Sequence, residues 1–113
     1  MPTQKFLVFV RRAADTQEPP SQVRMQEMYA AFSAWKEKFA ANIVDLGGKL
    51  KPGGKILTAS GATDGPFAEA KEIVGGYMVV AADNYEQALT IVGECPGVVR
   101  PGSSVEIREI ANA

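Results

Sequence analysis

The chain has 113 residues, 46% hydrophobic and 22% charged, a composition typical of one globular domain and unlike that of a disordered chain. Twelve basic and thirteen acidic side chains leave a formal net charge of −1, so a nucleic acid is not expected as the main partner. The single cysteine excludes an intrachain disulfide, and the apolar runs are too short for a membrane span or a signal peptide, so we expect a cytoplasmic protein with one domain over residues 1–113.

The first half of the chain carries signals for one strand and one long helix. Residues 4–11 are mostly apolar, which predicts a strand with apolar side chains on both faces. Ser21 is suited to cap a helix, and Gly47-Gly48 is suited to end it. Between them, apolar residues at spacings of three and four predict one core-facing stripe over about seven turns. These residues are Met25, Met28, Tyr29, Phe32, Trp35, Phe39, Ile43 and Leu46.

The second half predicts further strands and a shorter helix. Residues 49–51 and 55–58 are expected to form short strands around a turn at Pro52-Gly53-Gly54, and residues 73–82 form the most apolar strand. Asp83 followed by Glu86 resembles a capping box. The helix that follows is expected to bury one side and to end at Pro96-Gly97, before a last strand at 105–108. Its predicted inner residues are Tyr85, Ala88, Leu89 and Val92.

The predicted order is β-α-β-β-α-β, an α+β fold of the ferredoxin-like kind with an antiparallel sheet. Two helices cover one face of such a sheet. The strands at 4–11 and 73–82, however, are apolar on both faces, which a half-exposed antiparallel sheet does not require. A second copy of the chain is the simplest cover for the other face. The pattern therefore predicts a homodimer.

The segment 62–77 concentrates unusual residue types. Asp64-Gly65-Pro66 is a strong turn signal, a charged run follows, and Gly75-Gly76 leads into the apolar strand. This segment resembles the signature of the DGPF, or YCII-related, domain family, D-G-P-F-x-E-x-K-E-x-x-G-G-[FY], at every fixed position. The resemblance implies a dimeric α/β barrel in which two sheets pack face to face. It also implies a possible role as an accessory protein in transcription regulation, because such proteins are often encoded beside extracytoplasmic-function sigma factors.

Asp64 is the candidate catalytic residue. Burial beside Phe67 would suit its carboxylate for acid–base chemistry in a lyase or isomerase that acts on a small organic acid. Alternatively, Asp64 caps the turn at 65–68 through side chain–backbone hydrogen bonds, and this structural role is the one we favour. The chain contains no histidine, so the His–Asp pair attributed to some YCII-type proteins is absent. That absence favours a binding domain, for a small molecule or a protein partner, over an enzyme.

Several other residues are candidates for ligand contacts, and no cofactor or metal is expected. Arg11, at the end of a strand, could hold a carboxylate or be simply solvated. The glycine- and lysine-rich stretch 48–55 fails the Walker spacing and is interpreted as a turn with solvated lysines, with contact to an anion as the alternative. Cys95, at the C-terminal end of a helix, is interpreted as a packing residue. The aromatic residues of the long helix are interpreted as core and not as a pocket lining. The candidate ligand-binding residues are Arg11, Gly65, Pro66, Phe67, Lys71 and Tyr77.

Overall fold

The computed structural model describes residues 4–13, 21–51, 53–65, 72–96, 98 and 103–111. The described elements, in chain order, are β1 (Gln4–Ala13), α1 (Gln22–Lys38), β2 (Ile43–Lys49), β3 (Gly54–Thr58), β4 (Gly61–Gly65), β5 (Glu72–Ala82), α2 (Tyr85–Gly93) and β6 (Ser103–Glu109). Neither of these two helices is both long enough and apolar enough to cross a membrane.

Four of the strands form one antiparallel sheet in the order β2-β5-β1-β6. The helix α1 connects β1 to β2, and α2 connects β5 to β6. This strand order, with one helix in each crossover, is the split βαβ arrangement of a ferredoxin-like α+β fold. The predicted fold class is therefore confirmed. The strands β3 and β4 form a separate two-stranded hairpin inserted between β2 and β5.

The two faces of the sheet follow from the alternation of side chains along β1. Phe6 and Val8 are fully buried in the core that the sheet forms with both helices. Their cross-strand partners on β5, Val80 and Met78, belong to the same core. The intervening pairs, Leu7 with Val79 and Phe9 with Tyr77, lie on the opposite side of the sheet. We call the side turned away from the helices the far face; its pairs Leu7–Val79 and Phe9–Tyr77 are apolar or aromatic, as the sequence predicted.

The start of α1 agrees with the sequence, but its end does not. Ser21 Oγ accepts a hydrogen bond of 3.2 Å from the backbone N–H of Arg24, so the predicted cap is confirmed. The helix ends at Lys38, and the prediction that it continues to Gly47 is wrong. After a turn at residues 39–42, the chain enters β2, where Ile43 pairs with Val80. Two β-branched residues, Ile43 and Val44, favour a strand here, and pairing with the edge of β5 decides the outcome.

The predicted continuous core stripe of the long helix is also wrong. Of the 17 residues of α1, Trp35 alone is buried, whereas Val23 and Tyr29 are each 66% exposed. Phe32 and Phe39 are partly buried against the core around Trp35. The helix therefore meets the core through its C-terminal half.

The hairpin confirms one predicted strand and adds another. Residues 55–58 lie in β3 as predicted, whereas residues 50 and 51 lie beyond the end of β2. The strand β4 was not predicted, because its last residues were assigned to a turn. The dipeptide Ser60-Gly61, with Gly61 at a φ of 123°, is the turn signal that separates the two strands. Asp64 consequently lies inside a strand, opposite Lys55.

The second helix begins one residue later than predicted. Asn84 is the N-cap, and its side chain accepts a hydrogen bond of 2.8 Å from the N–H of Gln87. Gln87 in turn accepts from the N–H of Asp83 at 2.7 Å. The cap expected at Asp83 with Glu86 is thus wrong by one position. Ala88 and Val92 are buried as predicted, whereas Ile91 is buried in place of Leu89 and Tyr85 is 46% exposed. The helix ends at Gly93, before Pro96.

Candidate functional site

The signature segment links the hairpin to the main sheet. Asp64 and Gly65 are the last residues of β4, and β5 begins at Glu72. The predicted ligand contacts Pro66, Phe67 and Lys71 lie outside the described residues, as do the backbone groups at 66–68 that Asp64 was expected to cap.

A cleft of about 470 Å³ lies where the hairpin approaches the start of β5. It is lined by Lys51, by residues 53–56 and by Ile73 and Val74. Its volume falls within the range of small-molecule sites in proteins. Three of the lining residues, Ile56, Ile73 and Val74, are apolar, and we call them the apolar wall; two others are the lysines at positions 51 and 55. We call this feature the hairpin cleft.

Asp64 reaches the hairpin cleft through Lys55. The two residues are direct cross-strand partners, and Lys55 Nζ donates a hydrogen bond to Asp64 Oδ1. The Asp64 side chain is 87% exposed, so the burial on which the acid–base interpretation depends is absent. Its observed contact is an exposed ion pair that positions a lysine of the cleft.

A β-bulge and a close approach of β2 account for two glycines of the signature, Gly75 and Gly76. Gly75 is the extra residue of a β-bulge, since Val10 pairs with Gly76 and Arg11 already pairs with Val74. A Cβ on Gly75 would lie 2.7 Å from Nε of Arg12, whose side chain crosses it. A Cβ on Gly76 would lie 3.2 Å from the carbonyl oxygen of Gly48 on β2. The bulge therefore changes the register between β1 and β5 next to Val74, which lines the hairpin cleft.

The predicted contacts Arg11 and Tyr77 lie on the far face. Arg11 Nη2 donates a hydrogen bond of 2.6 Å to Oε1 of Glu106 on β6. The guanidinium thus binds a carboxylate of its own chain, and about a third of each side chain is exposed. Tyr77 is 39% exposed and pairs with Phe9. Their observed partners are thus Glu106 and Phe9 and not Asp64, and Arg11 is also the cross-strand partner of the cleft residue Val74.

Cys95 is a packing residue, as predicted from the sequence. It is buried in the core beside α2. Burial raises the pKa of the Cys95 thiol from 9.0 to about 11, because the thiolate is disfavoured away from water. Cys95 lies two residues beyond the last residue of α2.

Sequence reasoning did not assign the residues that line the hairpin cleft. The stretch 48–55 was noticed for its glycines and lysines, but Ile56, Ile73 and Val74 were assigned simply to strands. The cue that was available is that an apolar strand start, a lysine-rich turn and the signature follow one another closely in sequence. In the part of the chain that the structure describes, His, Cys, Asp and Glu side chains do not form a group of three or more that could hold a metal ion.

The family model of the YCII-related domain matches residues 5–112. The chain belongs to the YCII-related domain family. The match extends over β1 to β6, so it includes the sheet, both helices and the inserted hairpin. A search among curated proteins found no match to the sequence. The family assignment agrees with the resemblance carried by the signature, and it identifies the segment between Asp64 and Tyr77 as part of a YCII-related domain.

Proposed function

We propose that this YCII-related chain is a homodimeric binding domain that holds a small molecule in the hairpin cleft. The observation that carries the proposal is the cleft itself, with its volume of about 470 Å³, an apolar wall and two lysines. It lies beside the described ends of the signature, because Lys55 contacts Asp64 and Gly54 pairs with Gly65. Pockets that combine an apolar lining with a few polar groups are the usual form of small-molecule sites.

Binding explains the geometry of Asp64 better than acid–base catalysis does. The carboxylate is exposed to water and paired with Lys55, whereas a carboxylate that acts as an acid or base must lie within hydrogen-bond reach of a bound substrate. An exposed pair of this kind contributes little to stability. Its effect in this site is to hold the ammonium group of Lys55 at the rim of the hairpin cleft.

The homodimer is supported by the far face of the sheet. The chain measures 44 × 44 × 19 Å, and 19 Å is the thickness of a sheet with one layer of helices on it. Its radius of gyration of 15.7 Å exceeds the roughly 13 Å expected of a compact domain of this length. Leu7, Phe9 and Val79 lie on the far face and are partly exposed in the single chain. A second copy packed face to face would remove these apolar groups from water.

Fragment screening by NMR tests the small-molecule site. We expect small amphipathic compounds to shift the backbone amide signals of Gly53, Gly54 and Val74 in ¹⁵N-labelled protein. Ile56→Trp places an indole in the cleft and should abolish these shifts. Leu57→Trp is the matched control, because Leu57 is 80% exposed on the neighbouring position of the same strand.

The proposal fails if compounds that bind the wild-type protein bind Ile56→Trp equally well, since their site is then elsewhere. It also fails if a broad fragment library leaves the amide signals of the hairpin cleft unmoved. Thermal melting of both tryptophan variants establishes that any loss of binding is not a loss of folding.

A further inference from the structure

We propose that the ligands of the hairpin cleft are small aliphatic monocarboxylates, with the carboxylate held by Lys51 and Lys55. This inference rests on the proposed binding function and adds the chemical class of the ligand. The hydrocarbon part lies against the wall formed by Ile56, Ile73 and Val74. The class follows from three features of the cleft, namely its charge, its wall and the open space beside its glycine turn.

The charge of the cleft suits an anion that carries one negative charge. Lys51 and Lys55 both line it, and both side chains belong to exposed residues. Asp64 pairs with Lys55 and offsets one of the two positive charges. A lysine ammonium has three donor hydrogens, so Lys55 can bind Asp64 and a ligand oxygen together. One net positive charge among these three groups matches a carboxylate better than a dianionic phosphate.

The apolar wall selects a ligand with a hydrocarbon part. Ile56 and Val74 are partly buried and Ile73 is buried, so these three lining residues give the cleft apolar surface that is only partly open to water. Each methylene group that is removed from water on such a surface strengthens binding about four-fold. A free inorganic anion would leave this wall in contact with water. The combination of wall and lysines therefore favours an amphipathic acid.

The glycine turn keeps space for the ligand beside the backbone. Gly53 has a φ of 89°, which residues with a side chain rarely adopt. A Cβ built on Gly53 would meet no atom within 4 Å. Gly53 thus borders open space, and the two lysines that line the cleft, Lys51 and Lys55, flank it in the sequence.

NMR titration of the ¹⁵N-labelled full chain with hexanoate, butanoate, hexanamide and inorganic phosphate tests the class. Hexanoate should shift the amide signals of Gly53, Gly54 and Val74 and bind about fifteen-fold more tightly than butanoate, which has two fewer methylenes. Hexanamide has nearly the same shape without the charge, and phosphate has charge without the hydrocarbon. Both should bind more weakly than hexanoate.

Charge variants identify the groups that hold the carboxylate. Lys51→Gln and Lys55→Gln should each weaken hexanoate binding about two- to five-fold, the range for partly exposed charge pairs. Asp64→Asn should strengthen it by a similar factor, because it releases Lys55 from its partner. Lys5→Gln is the matched control; Lys5 lies on β1 six residues before Arg11, about 20 Å from the cleft at 3.3 Å per residue, and hexanoate affinity should not change.

The two proposals fail in different ways. Equal binding of hexanamide and hexanoate at the cleft amides, or tighter binding of phosphate, would overturn the carboxylate class and leave a small-molecule site. Weaker binding in Asp64→Asn would overturn the role given to Lys55. If none of these compounds, and no fragment of a broad library, moves the cleft amides, the small-molecule site itself is wrong.

Discussion

Trp35 and Ile91 join the two helices, because the indole Nε1 of Trp35 donates a buried hydrogen bond of 2.8 Å to the backbone carbonyl of Ile91. Ile91 lies in the last turn of α2, where carbonyl groups have no partner within the helix. The N–H of Cys95, four residues on, bonds instead to Val92 at 3.0 Å. Trp35 therefore caps the C-terminal end of α2 from another helix.

Trp35→Phe should lower the free energy of unfolding by about 1–3 kcal/mol, because it leaves the Ile91 carbonyl buried without this donor. The melting temperature should fall by about 4 °C for each kcal/mol. Tyr29→Phe is the control on the same helix: Tyr29 is 66% exposed, and the change should be within about 0.5 kcal/mol. Equal melting temperatures for the two variants would contradict the capping role.

Gly47 lies where the backbone of β2 is too close to that of β5 for a side chain to fit. Its φ is 65°, and a Cβ would lie 1.8 Å from the carbonyl oxygen of Tyr77. Gly47→Ala should cost about 3 kcal/mol or more, from backbone strain together with displacement of β2. The neighbouring Gly48 has open space within 4 Å of its Cβ position, so Gly48→Ala should be nearly neutral. Denaturant unfolding of both variants measures the difference, and similar losses would disprove the close approach.

The cap of α2 can be assigned by two single substitutions. Asn84→Ala removes the side chain that accepts from Gln87 N–H and should cost about 1 kcal/mol. Asp83→Ala leaves that hydrogen bond in place and should change stability by less than about 0.5 kcal/mol. Thermal melts compare the two. A larger loss for Asp83→Ala would restore the cap that the sequence predicted.

The buried Cys95 thiol should make stability depend on alkaline pH. Its folded pKa of about 11 lies above the unfolded value of 9.0, so the folded state holds the proton more tightly. This contribution is complete below pH 9 and is lost as the pH rises towards 11. Denaturation between pH 8 and 11 should show a steeper loss for wild type than for Cys95→Ala. Parallel pH profiles would contradict a buried thiol, as would rapid alkylation of the native protein at pH 8.

The homodimer can be tested on the far face. Light scattering at micromolar concentration should give about twice the chain mass of 12.1 kDa. Val79→Arg places a charge in the proposed contact between sheets and should yield monomers, because an unpaired charge is costly to bury. Val23→Arg is matched in residue type on a 66% exposed helix position, and it should remain dimeric. A monomeric wild-type protein would rule out face-to-face packing of the sheets.

The sequence alone determined the order of the main elements and the family. Alternating and continuous apolar runs located β1 and β5, and Ser21 located the start of α1, because these signals are local. The signature at 64–77 identified a YCII-related domain. The sequence also predicted that β1 is apolar on both faces, because alternate residues of a strand lie on the same face.

The tertiary structure decided where local preferences compete. The apolar residues of the segment 39–46 continue the spacing of a helix, yet Ile43 pairs with Val80 and this part of the chain forms β2. Asp64 looks like a turn residue until β4 pairs with β3 and brings Lys55 opposite it. The hairpin cleft combines residues 51–56 with Ile73 and Val74, which meet only after the hairpin has folded back. Contacts between distant segments depend on the free energy of packing and strand pairing, and no single segment of the sequence determines that free energy.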